Sequence, residues 1–165
     1  MVETYDYRNC QSLFGYALDI HKRHNCVCQL CGCGGNKATD FDIWRQMSVE
    51  HLIGKSQGGY KAEIRASIDE RFPTLPEADR EAFAERLNEA NTISACRFCN
   101  STTSRDRYRK TMHDFIFEAN GDPEAVINQV ISNLGEVLQA KQQAAKWKID
   151  AVRIAFNEKV VGTTP

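Results

Sequence analysis

Two cysteine pairs of identical spacing, Cys28-Gln-Leu-Cys31 and Cys96-Arg-Phe-Cys99, constrain this chain more than any other feature. Thiols two residues apart grip one tetrahedral ion from a single turn, and two such pairs close a four-thiolate Zn2+ site. The glycine after the first pair lets the loop turn tightly. The 64 residues between the pairs exceed ordinary zinc-finger spacing, so the ion would join two distant stretches of chain. Such a site substitutes for core area where small elements have few apolar contacts. The run Cys26, Cys28, Cys31 and Cys33 offers a second register, with all four ligands from one segment. Its one-residue spacings are awkward for a single ion, and it leaves Cys96 and Cys99 without a role. Cys26 and Cys33 otherwise read as small buried or half-exposed thiols, and Cys10 as a core residue.

Composition narrows the setting. Within 165 residues, 21 Lys and Arg face 22 Asp and Glu, and 42% of residues are apolar. That excludes a wholly disordered chain and a protein that coats nucleic acid by bulk charge. No apolar run approaches the roughly 18 residues of a membrane span, and the first residues, MVETYDYRNC, do not resemble an export signal. A reducing cytoplasm is the expected location. Paired cysteines there bind metal more often than they form disulfides.

Periodicity predicts a mostly helical α+β chain. Leu13, Phe14, Ala17, Leu18 and His21 make one face of a helix over 10–23. Residues 41–52, FDIWRQMSVEHL, read as strand and run into the Gly-rich GKSQGG. Residues 61–90 read as a charged helical insertion of net charge −3. Residues 91–99 read as short strand or turn. A helix is predicted over 102–119, capped by Ser101 or Thr102, and Asn120-Gly121 ends it. Asp122-Pro123 starts the next. From 124 to 160, Ile127, Ile131, Leu134, Leu138, Ala145, Ile149, Val152 and Phe156 keep a near-heptad rhythm, broken around Lys141-Gln142-Gln143. An unbroken helix of that length spans about 55 Å, so a break or a partner is expected.

Chemistry-bearing residues crowd beside the cysteine pairs. Glu50-His51 closes SVEHL, Gly58-Gly59 follows, Asn91 precedes the second pair and Asn100 follows it directly. A neutral imidazole is the natural base near pH 7. Neighbouring strand residues point to opposite faces, so Glu50 and His51 should do different jobs. His21, His24 and His113 lack any such setting and read as structural or exposed.

Taken in order, CQLCG, VEHLIGKSQGG and NTISACRFCNS resemble the HNH endonucleases, the zinc-bearing ββα-metal group. The resemblance covers about residues 26–110, with the 61–90 insertion inside it. It implies a ββα-metal core over 26–120 stapled by Cys28, Cys31, Cys96 and Cys99. An N-terminal helical flank (1–25) and a C-terminal helical extension (121–165) would border it. It also implies that His51 activates water for in-line attack on phosphorus, leaving 5′-phosphate and 3′-hydroxyl ends. Glu50, where the family usually has Asp, and Asn100 would hold Mg2+ or Mn2+. Asn91 would brace the loop that carries His51.

In the resembled family the helix after the second pair follows the nucleic-acid backbone. Arg105 and Arg109, which share a helix face, are the expected phosphate contacts, with Lys55 a weaker one. The implied substrate is double-stranded DNA, and the implied biology a restriction or defence nuclease. The stretch 141–160, of net charge +3, reads as the wet side of an amphipathic helix, with a homodimer through its apolar stripe as the alternative. The competing function is a non-catalytic zinc module for nucleic acid or protein. A thiol redox protein using Cys28 and Cys31 lacks the strand–CxxC–helix pattern of that class.

Overall fold

The structure is a computed structural model that describes residues 18–35, 41–103 and 108–162. Seven α-helices, a 3-10 turn at Lys55–Gln57, a π-helical turn at Asn157–Val161 and one two-stranded antiparallel sheet occupy the described residues. In chain order the α-helices and strands are α1 (Leu18–Arg23), α2 (Phe41–Trp44), β1 (Met47–His51), α3 (Lys61–Arg71), α4 (Glu77–Asn91), β2 (Thr92–Cys96), α5 (Arg97–Thr103), α6 (Met112–Glu118) and α7 (Pro123–Phe156). The architecture is thus α+β and mostly helical, as the sequence predicts.

β1 pairs with β2 in a register that sets Met47 opposite Cys96, Glu50 opposite Ile93 and His51 opposite Thr92. The strand is shorter than the predicted 41–52. Only five residues of β2 are available to pair, and Phe41–Trp44 turn as a short, largely exposed helix instead. Asp42 ties that turn down, accepting from Arg45 Nε at 2.8 Å while its carbonyl accepts from Gln46 Nε2 at 2.8 Å. β2 passes straight into α5 at Cys96–Arg97, so the second cysteine pair opens a helix.

The predicted helix over 102–119 divides into two. α5 ends at Thr103, and α6 starts afresh at a capping box. Thr111 Oγ1 accepts from the Asp114 amide at 3.1 Å, and the Asp114 carboxylate accepts from the Thr111 amide at 2.8 Å. That pair satisfies two helix-end donors locally and so fixes the start. α7 begins as predicted, with Pro123 in its first turn and Asp122 capping the Ala125 amide at 2.8 Å. The expected break near Lys141 is absent. α7 runs 34 residues without interruption, about 51 Å. From Ile127 its buried positions, Val130, Leu134, Val137, Lys141 and Ala145, step by three or four along one face, with Val126 beside the first, so Lys141 continues the seam. Beyond Asp150 the helix stands clear, with Val152, Ile154 and Phe156 at least half exposed.

One apolar cluster draws on nearly every described element. It includes Leu30, Met47, Ile53, Ile64, Ile68, Leu87, Ile93, Ile116, Ile127, Val130 and Leu134. Each such fully buried aliphatic side chain contributes roughly 1.5–3 kcal/mol over its exposed form. The 61–90 segment therefore belongs to the core: α3 and α4 pack on each other, α4 on α7, and α3 on α6. Its charges are spent within the hairpin. Arg65 reaches Asp69, Glu77 and Glu81, Lys61 reaches Glu81 and Glu85, and Arg80 reaches Asp69 and Glu77. Arg86 ties α4 to Glu124 of α7 at 2.7 Å. Among the described residues no helix is long and apolar enough to cross a membrane. Most of the predicted first helix, Cys10 included, lies outside the described residues, and only 18–23 of it appears as α1.

Candidate functional site

The first cysteine pair sits on a loop made by backbone geometry. Asn25 and Cys26 take left-handed φ values of 53° and 57°, which turns the chain out of α1. Val27 then bridges to Gly34. Inside the loop the Cys28 amide donates to the Cys33 carbonyl at 2.9 Å, and the Gly32 amide donates to the Cys28 carbonyl at 2.8 Å. Gly34 is required here. Its φ is +94°, and a Cβ would lie 2.6 Å from the Cys26 carbonyl oxygen. The Gln29 amide, donating to the Ser94 carbonyl at 2.8 Å, docks the loop on β2. The second pair comes from the end of β2 and the first turn of α5, where the Cys99 amide donates to Cys96 Sγ at 3.5 Å.

The four sulfurs of Cys28, Cys31, Cys96 and Cys99 lie within 4.8 Å of one another, and Cys31 Sγ is 3.9 Å from Cys96 Sγ. Four thiolates around one Zn2+ at the usual Zn–S distance of ~2.3 Å stand about 3.8 Å apart along each tetrahedral edge. The spacing and the donor set fit zinc. The four-ligand set across both segments is therefore the register the fold assembles, and Cys26 and Cys33 stand outside it. Cys26 is buried and Cys33 partly so. Between the thiols themselves, proximity sets one against another. The hydrogen bond from Cys96 draws Cys28 down to about 4, and the same bond, with burial, pushes Cys96 up. Burial also raises Cys99. A cation at the centre removes that conflict by taking all four as thiolates. A metal held by all four would have no open position for substrate.

A polar site adjoins this centre along β1. His51 ends the strand half-buried, its ring centroid 4.5 Å from that of Tyr60, whose ring also carries the Lys55 ammonium at 5.5 Å. Burial holds the His51 imidazole below its ordinary pKa, and the charge of Lys141 adds to the effect. The imidazole is accordingly neutral near pH 7 and able to accept a proton.

Asn91, the last residue of α4, is fully buried and clamps the loop that follows His51. Its Oδ1 accepts from the Ile53 amide at 2.8 Å, and its Nδ2 donates to the carbonyls of Ile53 at 3.0 Å and Gly59 at 2.8 Å. The Asn91 carbonyl also accepts from the Leu52 amide at 2.8 Å. Gly59 permits the closure, since a Cβ there would sit 1.6 Å from the Ile53 carbonyl oxygen. Asn100, on α5, donates from Nδ2 to Ser48 Oγ at 2.8 Å and to the Val49 carbonyl at 3.1 Å. It thereby braces β1 from the other side.

Glu50 is placed otherwise than a metal ligand needs. It is 4% exposed, and its Oε1 accepts from the Lys141 ammonium of α7, itself 7% exposed. Mg2+ or Mn2+ takes carboxylate oxygens together with several of its own waters. A carboxylate sealed from solvent and already neutralised by an ammonium does not fit that requirement. Asn100 spends its Nδ2 on β1, which leaves its Oδ1 as the remaining oxygen donor of the pair. As arranged, the Glu50 carboxylate is engaged by Lys141 and does not present itself to a divalent cation.

The expected phosphate contacts separate. Arg109 is exposed, but it lies in an irregular segment between α5 and α6 and not on a helix. Arg105 lies outside the described residues. The Arg109 segment still neighbours the His51 loop, because Gln57 Nε2 donates to the Tyr108 carbonyl at 2.6 Å. His21 is buried against Ser94 with Nδ1 2.6 Å from Oγ, and His113 stacks on Phe117 at 4.0 Å. Sequence reasoning missed Lys141 and Tyr60. Lys141 carried a signal, since it falls four residues after Val137 and seven after Leu134 on the seam of α7. Compared with protein-family models, with curated proteins and with solved structures, the chain matches none.

Proposed function

We propose that the chain is a zinc-stapled nuclease of the HNH type that hydrolyses phosphodiester bonds of double-stranded DNA, with His51 as general base. The observation that carries this reading is the setting of His51. It ends a strand whose following loop is clamped by Asn91, in a β1–β2–α5 unit that the four cysteines close. A base held this way needs little reorganisation as charge develops. Its neutral form takes a proton from water as the water attacks phosphorus in line, and the 3′ oxygen leaves. Arg109 and Lys55 flank the same loop and supply positive charge for a phosphate backbone. The resemblance also calls for Mg2+ or Mn2+ on Glu50 and Asn100. Because Glu50 holds Lys141, the reading rests on His51 and no step is assigned to that ion. Restriction or defence against foreign DNA is the biology that suits a small nuclease of this type.

A second reading, a non-catalytic zinc module for nucleic acid or protein, is favoured by one observation: the carboxylate beside His51 is buried in an ion pair. Incubation with plasmid DNA, with and without Mg2+ or Mn2+, separates the two. Cleavage by the native chain that disappears in His51→Ala, with zinc content unchanged, supports the nuclease. Intact plasmid under every condition, or equal cleavage by both proteins, removes it.

A further inference from the structure

Lys141 is the charged member of an otherwise apolar seam. Val137 one turn before it and Ala145 one turn after it are 1% and 0% exposed, and both sit in the common core. They fix the helix, and with it the root of the lysine stem. The ammonium ends on Glu50, inside the fold, with 9% of the lysine side chain and 5% of the glutamate side chain exposed. A lone carboxylate at that depth would carry a large desolvation penalty, and so would a lone ammonium. Each therefore makes the burial of the other possible.

We propose that Lys141 supplies the positive charge of the Glu50 site and keeps divalent cations off that carboxylate. The inference deepens the nuclease reading, since it names the cation that stands beside His51. The argument is one of exclusion. A dication on the same carboxylate would meet the ammonium at contact distance, in a medium that screens charge poorly. The ammonium has no retreat, because moving it to solvent means lifting the Val137–Ala145 stretch of α7 out of the core. The site accordingly carries a cation built into the chain. Removing the ammonium should create the metal site that the native fold denies.

The test measures Mn2+ binding to the zinc-loaded chain by electron paramagnetic resonance, not DNA cleavage. The native chain should show Mn2+ binding that Glu50→Gln leaves unchanged. Lys141→Met should bind Mn2+ at least tenfold more tightly, and the Lys141→Met/Glu50→Gln double variant should lose that gain. Equal affinity in Lys141→Met and native chains overturns the proposal. So does a gain that survives in the double variant, or native binding that weakens in Glu50→Gln. Lys141→Met removes the counter-charge of a buried carboxylate, so a second measurement uses the native chain only. Acetylation of Lys141 is followed by mass spectrometry with and without saturating Mn2+. Unchanged protection supports exclusion, whereas a saturable rise in labelling shows the ion displacing the lysine and refutes it. Cleavage assays judge His51 separately, so loss of either idea is read without the other.

Discussion

The carboxamide of Asn91 holds both backbone polar groups of Ile53, accepting from its amide at 2.8 Å and donating to its carbonyl at 3.0 Å. With a third bond, to the Gly59 carbonyl, one side chain ties together the two buried ends of the loop, on either side of its short helical turn at Lys55–Gln57. Asn91→Ala would leave three buried groups without partners, at ~1–3 kcal/mol each. A loss of roughly 3–9 kcal/mol is expected in urea unfolding, with zinc still bound in the folded fraction. A loss below about 1 kcal/mol would mean that water takes over the clamp.

Gly59→Ala tests the same closure from the other side. A methyl group cannot coexist with a carbonyl oxygen 1.6 Å away, so the loop must open. The variant should expose the Ile53 and Gly59 amides to hydrogen exchange while Met47–Val49 stay protected. Uniform protection throughout would show that the loop has another route.

Zinc should be held by four of the cysteines and not by the rest. Cys28→Ser and Cys99→Ser are expected to abolish stoichiometric zinc and the cooperative melt, since structural zinc contributes roughly 10–16 kcal/mol in small zinc-dependent folds. Cys33→Ser should retain one zinc per chain by elemental analysis. Loss of zinc there would move the register to the Cys26–Cys33 run.

Acid should weaken the fold before carboxylates titrate. Burial lowers the pKa of His21, with a smaller contribution from His24, and burial followed by Lys141 lowers that of His51. A histidine depressed in the folded state gives stability that is complete above the unfolded value of 6.5 and drains away as pH falls toward the folded one. Melting temperature should therefore drop between about pH 7 and pH 5. His21→Gln should flatten that drop, and an unchanged slope would exclude His21 as a source. In the cleavage reaction, the rate should rise with pH through a midpoint below 6.5, since the base acts when neutral.

The two halves of α7 should respond differently to truncation. Leu134, 1% exposed in the seam, should cost ~2–5 kcal/mol as Leu134→Ala. Trp147, 66% exposed, should change stability by less than about 0.5 kcal/mol as Trp147→Ala. A large effect at Trp147 would mean that its face is covered in solution.

Legibility in the sequence followed the range of the interaction involved. Cys28, Cys31, Cys96 and Cys99 could be read because ligand spacing is local, and the start of α7 because Asp122-Pro123 is a cap written in adjacent residues. Phe41–Trp44 was misread as strand because its aromatic and β-branched residues suit a sheet, whereas pairing depends on how many residues β2 brings from far along the chain. α5 is hidden because it starts inside the second cysteine pair, between Cys96 of β2 and Cys99 of its own first turn, and a metal-ligand signal says nothing of helix. Lys141 was taken for a break in the seam because hydrophobic periodicity scores a lysine as exposed. Only the fold brings it to Glu50, 91 positions away.

Asn91 is the last residue of α4, and Thr92 opens β2 directly after it. The angular phase of α4 therefore dictates where the clamp points. Each residue of an α-helix advances about 100° around its axis. Deleting one residue anywhere between Glu77 and Asn91 would either swing the carboxamide away from Ile53 or pull Ala84 and Leu87 out of the core. Seven residues make close to two whole turns, so a seven-residue change would keep both in phase. α4 can thus vary in length only by near-integral turns, whereas the turn between α3 and α4 is free of that constraint.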